Sequence, residues 1–142
     1  MSGSAIADGL ITMLSAASAF GSDAVAKDFS VLERSSGSCC VVSWRRFVSV
    51  PAAFGDPTAK DRQWTHTIMG FVKDLGDAKS TLGRVMKFGD VVLGVIEAND
   101  SLQGTVNSVD RVEGGRDLNA AVRVGGANWI PIFIDVVSTE LV

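Results

Sequence analysis

The chain holds one histidine, His66, and two cysteines, Cys39 and Cys40. These residue types could do chemistry. Histidine is the usual general base and metal ligand near neutral pH. A thiol beside it could serve as a nucleophile if the two segments pair as strands. The sequence supplies no orienting third group for such a couple. No Cys or acidic cluster lies near His66 at metal-ligand spacing. His66 shares a strand face with Trp64 and Ile68, so the expectation is a satisfied structural histidine and no catalytic residue.

The glycines and carboxylates read the same way. Gly89 to Gly94 has the outer spacing of a phosphate loop, but no Gly-Lys-Ser/Thr follows. Gly114-Gly115 and Gly125-Gly126 read as turns. Asp74, Asp77, Asp90, Glu97 and Asp100 are expected to cap and solvate a helix. No metal, cofactor or catalytic residue is assigned. Cys39 and Cys40 open an apolar run and behave as small hydrophobes, which fits a reducing compartment.

The elements that position these residues follow from periodicity. Ile6, Leu10, Met13, Leu14 and Ala17 share one helical face, with Ser4 as N-cap, Asp8 near the positive end and Phe20-Gly21 as the close. Phe29, Val31 and Glu33 suggest a short edge strand, and 35–38 a turn. Cys39 to Val50 is a strong strand, with Cys40, Val42 and Trp44 on one face and Val41, Ser43 and Arg45 on the other. Pro51 to Asp61 is a loop or the tip of a long hairpin. Gln63 to Leu75 is a second strong strand, apolar on both faces and therefore central or at a subunit contact.

Asp77 to Ala98 is the main helix, with a stripe of Leu82, Val85, Met86, Gly89, Val92, Leu93 and Ile96. Gly83, Gly89 and Gly94 within it predict close approach to a sheet or a neighbouring helix. Val106 to Val112 alternates, Leu118 to Val124 is weakly strand-like, and Trp129 to Val137 is a strong last strand. Pro131 must sit there at a bulge or an unpaired edge position. Trp44, Trp64 and Trp129 each fall in a strand, as core or as interface anchors. The fold class is α+β. A mainly antiparallel sheet of four to five strands packs against an N-terminal and a central helix, as one domain over residues 1–142.

Composition bounds the function. The chain has 142 residues, with a formal net charge of −3 and 20% charged residues. Its pI near 5.0 argues against non-specific nucleic-acid binding, which needs clustered Lys and Arg. One basic zone stands out: Arg45, Arg46, Lys60 and Arg62, offset by Asp56 and Asp61. Low charge and a positive mean hydropathy favour a chain that covers part of its surface by association. No apolar stretch is long enough to span a bilayer, and the first twenty residues lack a basic n-region and contain Asp8, so no signal peptide is expected.

The order of elements carries a resemblance. A helix precedes the strand Ser38 to Val50 and its partner Gln63 to Leu75. A crossing helix runs from Asp77 to Ala98, and a hydrophobic strand closes from Trp129 to Leu141. This order, over nearly the whole chain, resembles the tail terminator proteins of long-tailed bacteriophages, also called tail completion or neck proteins. The Gly114-to-Gly126 stretch is longer than the simple hairpin expected there.

The resemblance implies a structural virion protein, not an enzyme, that is assembled in the host cytoplasm and forms a hexameric ring. Such a ring stops polymerisation of the tail tube protein and offers its other face to the head-tail connector protein. DNA passes through its lumen without sequence-specific binding. Candidate subunit, tube or lumen contacts are Arg45, Arg46, Phe54, Lys60, Arg62 and Trp64. The alternatives are another head–tail connector or neck subunit, or a small enzyme or ligand-binding domain.

Overall fold

A computed structural model describes residues 2–16, 25–27, 38–53, 56–74, 76, 78–99, 101, 102, 104, 106, 108–116, 122–124 and 126–141. Helix α1 spans Ser2–Ser15 and buries Ile6, Leu10, Met13 and Leu14, the face its spacing predicts. Ser4 is not the N-cap, because the helix begins two residues before it. Asp8 lies beyond the first turn, and the Lys27 ammonium pairs with it at 2.6 Å. The expected positions at Ala17, Phe20, Gly21, Phe29, Val31 and Glu33 lie outside the described residues.

Strand β1 (Val25–Ala26) runs parallel to β2 (Ser38–Ala53), which pairs antiparallel with β3 (Asp56–Lys73). Of the two expectations for Pro51 to Asp61, a loop or the tip of a long hairpin, the hairpin end is the one found, since Val50 pairs with Asp61 and Pro51 with Lys60. Pro51 is tolerated because β1 reaches only Cys40 and Val41. Beyond that point β2 has a described partner on one side only, and a missing N–H can face outward.

Helix α2 (Ala78–Glu97) crosses to β4 (Ser108–Arg116), followed by β5 (Val122–Val124) and β6 (Ala127–Leu141). Gly114 and Gly115 do not form the expected turn. They lie inside β4 opposite Ile134 and Phe133, and a Cβ at Gly114 would stand 3.3 Å from Ile134 Cγ1. Pro131 sits in β6 where β4 has ended and β5 has not begun, so that edge is unpaired there among the described residues. The proline therefore breaks no ladder on that side.

The sheet order is β1-β2-β3-β6-β4, with β5 beside β6, and every pairing except β1–β2 is antiparallel. The molecule is thus α+β, and β3 is central between β2 and β6. Both helices lie on one face. His66 meets α1 and Gly70 meets α2, and even-numbered residues of β3 share a face.

The expected stripe of α2 is divided. Val85, Phe88, Val92 and Ile96 are buried, while Leu82, Met86 and Leu93 are exposed. A Cβ at Gly83, Gly89 or Gly94 would meet nothing within 4 Å, so these glycines do not mark a close approach. That role belongs to Gly70 of the sheet, where a Cβ would overlap the Phe88 ring. Among the described residues no helix is long and apolar enough to cross a membrane.

Substituting Gly70→Ala should therefore cost about 1–3 kcal/mol in urea unfolding, the usual penalty of overpacking. Phe88→Leu in the same chain should return part of it, because the smaller side chain leaves room for the methyl group.

Candidate interaction surface

The hairpin β2–β3 carries the basic zone and a cluster of aromatic rings. Trp44 pairs in register with His66, and Phe47 with Trp64. Between them, Arg45 is an extra residue, a β-bulge in β2. A bulge shifts side-chain alternation by one residue. Trp44 and Phe47 therefore share the helix-bearing face with Trp64 and His66, which regular alternation would forbid. The ring centroids of Phe47 and Trp64 are 5.2 Å apart, and those of Trp44 and Trp64 are 6.1 Å apart. Such offset and edge contacts add to the burial of apolar area.

Trp64 is the base of this cluster. It is buried, and a Cβ on Gly3 of α1 would lie 2.6 Å from its ring. Trp44 and Phe47 stand on it and are 51% and 53% exposed. The outward aromatics of the hairpin are therefore Trp44 and Phe47, with Trp64 beneath them. Trp129, the remaining tryptophan, is buried, with the Lys73 ammonium 6.0 Å from its ring centroid.

The bulge turns Arg46 to the opposite face of the sheet, where it joins Arg45. There Arg45 Nη1 donates to Asp135 Oδ2 at 2.8 Å, and Thr67 Oγ1 donates to Oδ1 at 2.7 Å. Arg46 is exposed, opposite Thr65. Arg62 is half-buried and, two residues from Trp64, lies on the aromatic face. Lys60 is placed in β3 opposite Pro51 by its backbone. Phe54 lies outside the described residues.

The structure thus collects Trp44, Phe47, Trp64 and Arg62 on one face and places Arg45 and Arg46 on the other. Arg111 is turned to that other face by a second bulge in β4, at Asp110. The Asp110 carboxyl accepts hydrogen bonds from Thr139, Ser108 and Gln63. Partial burial would raise its pKa, but these three bonds outweigh that and hold it below the ordinary carboxylate range.

The residues that could have done chemistry are separated. Cys40 pairs with Gly70 and Trp44 with His66. Thiol and imidazole are therefore four rungs apart, about 13 Å at the usual rise per residue. Burial, with Cys39 alongside, pushes the Cys40 thiol up to about 12, so it is not a thiolate nucleophile at neutral pH.

His66 is fully buried, and its Nε2–H donates to the Gly3 carbonyl oxygen at 2.9 Å. Burial lowers its pKa below the ordinary value, against the opposing effect of that hydrogen bond. The ring is therefore neutral and fastens α1 to the sheet. Among the described residues no group of three His, Cys, Asp or Glu side chains could hold a metal ion.

A second apolar surface lies outside the candidate residues of the sequence. A groove of about 440 Å³ runs between α2 and the β4 side of the sheet. Met86 and Leu93 form its helix wall, and Val112 and Ile134 its sheet wall. Gly89 and Gly114 leave backbone bare where a side chain would fill it. The signal for it was the overlong apolar stripe of α2, wider than one sheet contact can cover.

Comparison with known proteins found no family model and no curated protein that matches this chain.

Two outcomes follow from this geometry. A histidine whose pKa is lower folded than unfolded binds protons more readily unfolded, so its contribution is complete above about 6.5 and is lost as pH falls below that. The urea midpoint should therefore drop from neutral to mildly acidic pH, and His66→Gln, which keeps an N–H donor but does not titrate, should show a shallower drop. Trp64→Ala should cost about 3–5 kcal/mol, as for other buried aromatics. Phe47→Ala should cost well under half of that by the same measurement, because half of its ring is already in water.

Proposed function

We propose that the chain is a structural subunit of a virus tail. It forms a closed ring, of six copies by the resemblance, that ends tail-tube polymerisation and joins the tail to the head connector. The observation that carries this reading is the outer half of β2. Trp44, Phe47, Val48 and Val50 are each 40% exposed or more, on both faces of one strand. Apolar surface of this kind marks contacts between chains, and Trp is enriched among residues that anchor them. The basic residues beside it, Arg46 and Arg62, suit acidic neighbours at the same contact or DNA passing through a lumen. An acidic chain as a whole is compatible with DNA that passes without being held.

Light scattering over a wide concentration range, followed by negative-stain imaging, tests the ring. The expected result is one discrete species of about six chain masses, seen end-on as a closed ring with a central hole. Added to polymerising tail-tube subunits of the same virion, the protein should cap tube ends and shorten the tubes. A chain that stays single at every concentration, and on tube ends as well, would falsify the reading. Rings that bind the connector but leave tube length unchanged would favour a different neck subunit.

A further inference from the structure

We infer that the aromatic face of the β2–β3 hairpin docks into the α2–β4 groove of a second copy of this chain. The inference deepens the assembly reading, and it rests only on the part of that reading that has copies joining one another.

The two surfaces are complementary in shape and in charge. Trp44 and Phe47 form a raised aromatic pair, held upright from below by Trp64. The groove is concave and apolar, and its glycines leave it open. Arg62 stands on the aromatic face. Asp90 lines the groove, and Glu97 lines its continuation along α2, where Leu93 and Val112 are shared walls. One surface thus brings a cation beside exposed rings, and the other brings carboxylates beside an apolar trough. Such pairing fixes register and partner choice.

The contact cannot form within one chain. β2 and β4 lie on opposite sides of the central β3–β6 pair, and both helices lie on the sheet face that carries the two surfaces. The docking residues also belong to two unlike surfaces, so the contact is head-to-tail. Each copy would keep one hairpin and one groove for the next, and such an interface ends only by closing into a ring.

Mixing two broken chains tests this. Phe47→Asp spoils the hairpin and leaves the groove, while Met86→Asp spoils the groove and leaves the hairpin. Both side chains are more than half exposed in the subunit, so both variants should fold, with unchanged far-UV circular dichroism. Trp44→Glu and Leu93→Glu are the second pair, should either first variant fold poorly. Each variant alone should be a single chain by light scattering. The mixture should give one-to-one dimers and nothing larger, because only one intact hairpin meets one intact groove.

Wild-type rings that survive both substitutions would overturn the inference and leave the ring reading standing. Dimers in the mixture, with wild-type chains that grow open and never cap a tube, would uphold the inference and overturn the ring reading. A mixture that stays single while the wild type associates, or a wild type that never associates, overturns the inference.

Discussion

Two glycines set how near the helices come to the sheet. Gly3 lets the first turn of α1 rest on the Trp64 ring, and Gly70 lets Phe88 of α2 press on the backbone of β3. Both seats are on one strand and on one of its faces. The Gly3 carbonyl also accepts the hydrogen bond of His66, which fixes α1 along the strand as well as above it. With α1 over Trp64 and the inner half of β2, and α2 over β3 and β6, only the outer parts of that face stay uncovered. The aromatic pair lies on the β2 flank, and the groove lies on the β4 flank. The exposed surfaces are therefore the remainder left by where the helices are held.

The β-bulge at Arg45 matters as much as any contact. Without the extra residue, Phe47 would point away from the helices and Arg46 would stand beside Trp44. With it, three aromatic rings gather and Arg46 joins Arg45 on the other face, where the Arg45 guanidinium pairs with Asp135. The guanidinium of that pair is 62% exposed and its carboxylate 23%, so solvent still screens the pair and its energy is small. Its value is directional: it holds Arg45 away from the rings.

Much of the fold was legible in the residues. The alternation from Cys39 to Val50 and from Gln63 onward marked the hairpin, and both faces of β3 being apolar marked it as central. The 3.6-residue pattern marked α2 to within a residue at each end. Three kinds of feature were not legible. Pro51 left a loop and a hairpin tip both open, and only the one-sided pairing at the end of the hairpin decides for a strand there. Gly114-Gly115 signals a turn, because their use inside β4 depends on Ile134, which comes later in the chain. The bulge leaves no trace in composition, so Phe47 was not among the candidates and Trp64 was. The site was legible as a region, the hairpin with its arginines, and not as the face that gathers the rings.

The central strand also meets its two neighbours by different routes. β2 reaches β3 through a tight hairpin, so those two can zip together locally. β6 reaches it only after α2, β4 and β5 have been made, with Asp61 beside Leu141 at one end of the ladder. Closing so long a loop costs chain entropy before any pairing rewards it. During synthesis, the hairpin and α2 exist for a time with one edge of β3 unfilled. The strand that fills this edge leaves the ribosome only after all of these, and until then β3 offers a row of open backbone groups to any other nascent chain.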